Sequence, residues 1–128
     1  IAVRDIEDTL RFYQGVFGVD GAEVEEVEDQ GVRAALINVG DSQIEFIQPT
    51  DRTGGVARFI ERRGEGMHHI CFEVDDLPRK LKLLADNGME LIDTVPRRGV
   101  SGMVAFIHPR STRGVLIELV ERDRPSRR

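Results

Sequence analysis

The sequence predicts an α+β fold built from two tandem copies of one strand-helix-three-strand unit. The same order of extended and helical patterns occurs twice along the chain, with turn residues between the patterns. The chain has 128 residues, which fits one ordinary domain, and 40% of them are apolar, which is enough for a buried core. We therefore expect a single domain over residues 1–128 that contains an internal repeat.

The first copy, over residues 1–50, opens with an extended segment at residues 1–3 and continues with a helix. Asp5 is a suitable N-cap, and Gly18 is a suitable C-terminal stop. The apolar residues between them have the spacing of one helix face: Ile6, Leu10, Tyr13, Val16 and Phe17. Extended stretches follow at residues 22–28, 32–39 and 42–48.

A short helix over residues 53–63 is the predicted linker to the second copy, over residues 67–121. There the first pattern returns, with an extended segment at 69–74, the N-cap Asp76 and a helix that ends at Asn87-Gly88. The remaining extended stretches are residues 89–95, 103–108 and 115–120.

Alignment of the chain with itself supports the repeat. A shift of 71 positions pairs Asp5 with Asp76, and the neighbouring apolar residues then pair as well. Near the end of each copy, a shift of 73 positions pairs Glu45 with Glu118 inside apolar strands. This pair of carboxylates at equivalent positions goes beyond what two generic strand-helix units would share.

Composition disfavours several classes of protein. The formal net charge is −5, from 18 Lys+Arg against 23 Asp+Glu, so nucleic acid is not an expected partner. The longest apolar runs, such as residues 103–107, are far shorter than the ~18 residues of a membrane span, so we expect no membrane partner. A single cysteine, Cys71, fits an inert strand residue in a reducing cytoplasm. The basic tail at residues 122–128 is expected to be solvated.

The two equivalent glutamates are the first candidate functional residues. Strand alternation puts Glu45 on the face of Gln43 and Ile47, opposite Ile44 and Phe46. Glu118 lies in a strand that should be at least half buried, and a buried carboxylate needs a counter-charge, a hydrogen-bond donor or a metal. A solvent-facing strand position is the alternative for either residue alone.

Histidines supply further candidates. His68 and His69 are adjacent at the start of a strand, so only one of them can share a face with an inward glutamate. In the repeat register, the partner of His69 would lie just upstream of Ile1. Two His and two Glu would suit Co²⁺, Mn²⁺, Ni²⁺, Fe²⁺ or Zn²⁺. His108 could touch a ligand or simply pack in its loop, and Arg97-Arg98 could face an acidic group or lie in an exposed turn.

The chain also resembles a known family. Residues 62–76 (RRGEGMHHICFEVDD), 106–112 (FIHPRST) and 114–119 (GVLIEL) are similar to motifs of the vicinal oxygen chelate superfamily, most closely to its methylmalonyl-CoA epimerases. Residues 29–33 and 44–50 fit as well. The His-Pro loop followed by GVLIEL is the most specific of these motifs.

The resemblance implies paired βαβββ modules that form a curled mixed sheet around a divalent metal, usually Co²⁺ or Mn²⁺. The matching ligands are Glu45, His69 and Glu118, and the family's fourth ligand, a His, would fall upstream of Ile1. Arg110 and Ser111, beside the mouth of the expected site, are the candidates for contacts to the CoA tail of the substrate. The implied partners are methylmalonyl-CoA and, as in many small proteins of this type, a second copy of the chain.

The implied reaction interconverts the (2R) and (2S) epimers of methylmalonyl-CoA by proton removal and return at C2, through a metal-stabilised enolate. Inversion needs acid/base groups on two faces, for which Glu45 and Glu118 are the candidates. Some epimerases look as though they carry a separate Glu on the strand at residues 32–39 and a Gln at the position of Glu45. This chain has Ala34 and Glu45 at those positions.

Other functions are compatible with the same fold. A glyoxalase I-type lactoylglutathione lyase could use the same two Glu and two His. A ring-cleaving dioxygenase requires two His and one carboxylate around Fe²⁺. Glu45 as an additional ligand argues against this function. A metal-free drug-binding protein is disfavoured because the ligand residues are retained.

Overall fold

The computed structural model describes residues 1–124, which fall into two compact units, one ending at His68 and the other beginning at His69. Each unit contains a helix packed on one face of a sheet. The elements of the first unit are α1 (Ile6–Phe17), β1 (Glu25–Val27), β2 (Val32–Val39), β3 (Ser42–Pro49) and α2 (Gly55–Arg63). Those of the second are β4 (Ile70–Glu73), α3 (Leu77–Asp86), β5 (Arg97–Arg98), β6 (Gly102–Ile107) and β7 (Ile117–Arg122).

Helix α1 begins and ends where the local sequence predicts. The side chain of Asp5 accepts a hydrogen bond from the Asp8 N–H at 3.0 Å, which satisfies one of the unpaired donors of the first turn. Gly18 follows the helix with a left-handed φ of 66°, and its N–H donates to the Gln14 carbonyl. Both ends are therefore fixed by residues that are recognisable in the sequence.

The core of the first unit lies between α1 and the antiparallel sheet β1-β2-β3. Its buried members are Val3, Ile6, Leu10, Ala35, Ile37 and Phe46. Because side chains alternate along a strand, Glu45 projects from the face of β3 opposite to Phe46. The predicted assignment of faces in this strand is thus confirmed.

The second unit repeats this arrangement with the sheet order β4-β7-β6-β5. Strands β4 and β7 are parallel, and the other neighbours are antiparallel. The Asp76 side chain accepts from the Arg79 N–H at 3.1 Å and so caps α3. The core between α3 and the sheet consists of Leu77, Leu81, Ala105, Ile107 and Leu119. Glu118 and Phe106 therefore lie on the sheet face away from the helix.

The internal repeat is visible in the pairing of the strands. Ala2 forms a parallel bridge with Ile47 in the first unit, and Glu73 pairs in parallel with Val120 in the second. These partners are related by the same shifts of 71 and 73 positions that align the sequence. The structure therefore shows an α+β fold with two βαβββ-like units.

Three predicted elements are shorter than expected or absent. The stretch at residues 22–28 forms a strand only at Glu25–Val27, since a 3-10 turn takes over at Glu28–Gln30. Helix α2 starts at Gly55 instead of Thr53, because Asp51 holds the N–H and hydroxyl of Thr53 in a turn, at 2.9 and 2.7 Å. The first segment, residues 1–3, pairs only at Ala2.

The predicted strand at residues 89–95 is wrong. Within it the structure has a single bridge, between Leu91 and Ile107. The Asp93 carboxylate accepts the Phe106 N–H at 2.9 Å, so a side chain replaces the backbone partner that a continuing strand would provide. The strand at this place in the order is the two-residue β5.

The end of the chain also differs from expectation. Strand β7 extends to Arg122, whose Nε lies 3.3 Å from a carboxylate oxygen of Glu73. Arg122 thus belongs to the fold, although the sequence assigns it to a solvated tail. Residues 125–128 of that tail lie outside the described residues. Among residues 1–124, no helix has both the length and the apolar character that crossing a membrane requires.

Candidate metal and substrate site

His69 and Glu118 meet in the second unit. His69 immediately precedes β4, and Glu118 lies in the neighbouring strand β7, where it is the register partner of Cys71. The imidazole Nε2 is 3.8 Å from a carboxylate oxygen of Glu118, and the two side chains are only 7% and 9% exposed. The structure thus brings together one nitrogen and one oxygen atom that could coordinate a metal, in a buried place.

Phe106 lies beside this pair. In the antiparallel pairing of β6 and β7, Phe106 is directly opposite Glu118. Its ring centre is 5.5 Å from that of His69, and the two ring planes are nearly perpendicular at 84°. The imidazole therefore contacts an aromatic ring as well as a carboxylate.

Glu45 occupies the corresponding position of the first unit. It lies in β3 opposite Leu36, as Glu118 lies in β7 opposite Phe106. Glu45 is half-buried, and it is on the sheet face away from α1. The two glutamates are therefore equivalent in strand, register and face.

His68 has different surroundings from those of His69. Its ring packs against Phe59 of α2, with ring centres 5.0 Å apart and an interplanar angle of 73°. The Arg63 guanidinium lies over the same phenyl ring, 5.6 Å from its centre. The adjacent histidines thus have separate aromatic partners, one in each unit.

The loop after β6 is organised by His108 and Glu90. The Nδ1 atom of His108 accepts the Arg110 N–H at 3.1 Å, and the His108 N–H donates to the Glu90 carbonyl at 2.9 Å. The Glu90 carboxylate holds the Arg110 guanidinium by two contacts of 3.1 Å. His108 consequently has a structural role in the loop.

Ser111 is fixed by the same segment. The backbone N–H of Glu90 donates to the Ser111 hydroxyl oxygen at 2.8 Å. Because the oxygen is the acceptor in this bond, the hydroxyl hydrogen can be donated elsewhere. Ser111 is half-buried, whereas Arg110 is exposed.

Arg97 and Arg98 are both engaged within the second unit. Arg97 Nε lies 3.0 Å from a carboxylate oxygen of Asp93. Arg98 pairs with both oxygens of Asp123, and this hydrogen-bonded guanidinium holds the pKa of the Asp123 carboxyl below its usual value. The two arginines form strand β5, so the expectation of a turn is wrong, although Arg98 is exposed.

Two residues around the site, Phe106 and Glu90, are not predicted by the sequence patterns. The alternation of residues 103–108 could have placed Phe106 beside Glu118 once the pairing of β6 and β7 was known. The sequence has no comparable signal for Glu90, which reaches the loop from an irregular segment. Cys71 lies in β4 as expected and is exposed.

Comparison with known proteins gives the family. The Glyoxalase/Bleomycin resistance protein/Dioxygenase superfamily matches residues 1–107. The chain therefore belongs to this superfamily, in agreement with its paired units and with the motifs in its sequence. Members of the superfamily typically bind a divalent metal.

Relatives within the superfamily are similar over nearly the whole chain. An uncharacterised protein of Bacillus subtilis is 42% identical over 94% of this chain and 87% of its own length. The mitochondrial methylmalonyl-CoA epimerase of Dictyostelium discoideum is 33% identical, over 95% of this chain and 75% of its own. A solved methylmalonyl-CoA epimerase in complex with methylmalonyl-CoA and NH₄⁺ has a TM-score of 0.90 at 32% identity, covering 95% of this chain and 90% of that one.

Proposed function

We propose that this protein is a metal-dependent epimerase that interconverts (2R)- and (2S)-methylmalonyl-CoA. The observation that supports this proposal most is the agreement between near full-length similarity to such epimerases and the retained residues Glu45, His69 and Glu118. Similarity alone would leave the activity open, since relatives in one superfamily catalyse different reactions.

The proposed metal ligands are Glu45, His69 and Glu118. Two carboxylates and an imidazole are suitable donors for a divalent transition metal, with Co²⁺ or Mn²⁺ preferred and Ni²⁺, Zn²⁺ or Fe²⁺ as alternatives. The environment of Glu118 fits this role, because a buried carboxylate with an imidazole nitrogen at 3.8 Å gains from a shared cation. A bound cation would act as a Lewis acid that stabilises negative charge developing on a substrate oxygen.

The proposed acid/base groups are the same two glutamates. The proton at C2 must leave from one face of the substrate and return on the other, so epimerisation needs two groups or one mobile group. Glu45 and Glu118 are related by the internal repeat, which supports assigning one of them to each face. Ala34 is buried and cannot act as a base in their place.

Arg110 and Ser111 are the proposed contacts to the substrate. The Ser111 hydroxyl is oriented by the Glu90 N–H and retains a hydrogen that can be donated to a carboxylate or thioester oxygen. Arg110 carries a positive charge, but Glu90 neutralises part of it. We therefore assign Ser111 the larger share of substrate binding.

The proposal also covers the oligomeric state and the cellular compartment of the protein. A homodimer in a reducing cytoplasm is proposed from the size of the protein and from its single cysteine. Sedimentation of the purified full-length protein would test the dimer. A sedimentation coefficient that fits a monomer at micromolar concentration would contradict it.

Isotope exchange tests the proposed activity directly. Full-length protein loaded with Co²⁺ or Mn²⁺ is incubated with methylmalonyl-CoA in D₂O, and deuterium at C2 is followed by mass spectrometry. We expect uptake well above the uncatalysed background, together with conversion of either pure epimer to the mixture. Glu118→Gln protein is the control, and background uptake with the wild-type protein would refute the proposal.

A further inference from the structure

The geometry points to Phe106 as a positioning residue that holds the His69 imidazole in the orientation needed to bind a metal. This inference rests on the proposed metal site and extends it to a residue that supplies no ligand atom. The rings of Phe106 and His69 are perpendicular, with their centres 5.5 Å apart. That arrangement is a favourable one for two aromatic rings.

Strand order places the three side chains side by side. Phe106 pairs across the sheet with Glu118, and Glu118 pairs on its other side with Cys71. His69 is two residues before Cys71 and therefore shares its face. The central strand β7 thus carries the carboxylate, and the strands on both sides contribute the imidazole and the phenyl ring.

A contact of this kind restricts the imidazole. The torsion about the Cβ–Cγ bond of a histidine is broad, so a ring without packing partners can turn its nitrogens in many directions. The Nε2 of the His69 ring lies 3.8 Å from a carboxylate oxygen of Glu118, so the phenyl contact adds to a polar contact on one imidazole. Phe106 is 8% exposed, so its ring supplies a fixed surface against which the imidazole packs.

The neighbouring histidine provides an internal comparison. His68 also has a perpendicular aromatic partner, Phe59, at 5.0 Å. Loss of either phenyl ring removes one aromatic contact from one histidine. Only the loss at Phe106 touches a proposed ligand, so Phe59→Leu is the matched control for Phe106→Leu.

Metal binding is measured on full-length protein from which metal has been removed, by calorimetric titration with Co²⁺. We expect Phe106→Leu to weaken Co²⁺ binding by about 10-fold, the lower end of the range for residues that orient metal ligands. Phe59→Leu should bind as the wild type does. If Phe106→Leu does not fold, Phe106→Met keeps nearly the same volume without a flat ring and replaces it.

A spectroscopic signal separates a local change around His69 from a general loss of structure. In the metal-free protein, the ring protons of His69, assigned with a His69→Ala variant, should change chemical shift in Phe106→Leu and not in Phe59→Leu. The His68 signals should behave in the opposite way. Leu81→Ala, a core change on the helix side, should lower stability and leave the His69 signals and the Co²⁺ affinity in place.

The outcomes distinguish this inference from the proposed function. Wild-type affinity in a folded Phe106→Leu protein overturns the positioning role and leaves the metal site standing. Absence of Co²⁺ binding by the wild type overturns the metal site, and the inference with it. Weaker binding in Phe106→Leu supports the positioning role even if methylmalonyl-CoA proves not to be the substrate.

Discussion

Glu118 is a charged side chain in the middle of an apolar strand, and its burial calls for a partner. Only 7% of the residue is exposed, and one of its carboxylate oxygens lies 3.8 Å from the imidazole Nε2 of His69. An ionised carboxylate held away from water is costly unless a positive group or hydrogen bonds compensate it. The proposed metal ion would be such a positive group beside Glu118.

Replacement of Glu118 by glutamine is expected to reduce C2 exchange by roughly 10²- to 10⁴-fold, the range for loss of a positioned acid/base group. The variant should also bind less metal, because an amide is a poorer ligand than a carboxylate. Arg124→Gln, at the exposed end of the described chain, is the control and should keep wild-type activity. Equal losses in the two variants, with metal content unchanged, would contradict the assignment of Glu118.

His69→Ala should remove bound metal, whereas His68→Ala should retain it. The reason is that His69 lies beside Glu118, while the ring of His68 packs on Phe59. Metal content per protein, measured after gel filtration, decides between the two residues. Loss of metal in the His68 variant alone would show that the ligand is the neighbouring histidine.

Glu45→Gln tests whether the second glutamate transfers a proton. With metal content checked, exchange at C2 is followed separately from each pure epimer. If Glu45 serves one face, exchange from one epimer should fall far more than exchange from the other. A small and equal loss from both epimers would refute the mechanism with two glutamates and leave Glu45 a ligand only.

The sequence identifies candidate site residues where strand alternation and the repeat act together. Glu45 and Glu118 stand out because both are charged at equivalent positions of apolar strands. Phe106 and Glu90 do not stand out, since a phenylalanine in a strand usually marks a core position and Glu90 lies in an irregular segment. Their roles depend on which strands are neighbours, which is a property of the folded chain.

At the scale of the element, helix ends are predicted better than strands. Asp5 and Asp76 each accept a hydrogen bond from a backbone N–H three residues later, so their capping role can be recognised in the local sequence. The strand predicted at residues 89–95 does not form. There the Asp93 carboxylate accepts a hydrogen bond from the backbone N–H of Phe106, 13 positions away. Such a contact has no local signature.

The starts of α1 and α3 are each also held by a side chain from the last strand of the same unit. Gln48 accepts the Ile6 N–H at 2.9 Å, and Glu121 accepts the Leu77 N–H at 2.7 Å. The two acceptors are related by the repeat. This contact ties helix and sheet together in both units.

Glu121→Ala should lower the free energy of unfolding by about 1–3 kcal/mol, because the Leu77 N–H loses its acceptor in a half-buried place. Glu121→Gln should lose much less, since the amide oxygen of Gln48 makes the equivalent bond in the first unit. Urea unfolding of both variants gives the comparison. Equal destabilisation by alanine and glutamine would show that the charge of Glu121 matters more than the hydrogen bond.

At the scale of the whole molecule, the repeat explains why the fold class could be predicted without knowing the strand pairing. Two similar segments of sequence adopt similar units, and the shifts that align Glu45 with Glu118 also align the parallel pairs Ala2–Ile47 and Glu73–Val120. A repeat thus carries information about register as well as about element order. It also places chemically matched carboxylates in both units, which a single unit could not supply.

Metal binding should therefore stabilise the folded protein measurably. A cation that binds only the folded state at a hundredfold excess over its Kd adds about 2.7 kcal/mol, which raises the Tm of a chain of this size by on the order of 10 °C. We expect this rise with Co²⁺ in full-length wild-type protein and in His68→Ala, followed by differential scanning calorimetry. His69→Ala should show no rise, because it lacks the imidazole beside Glu118. A chelator should reverse the effect, and an equal rise in all three proteins would place the bound metal at residues other than His69.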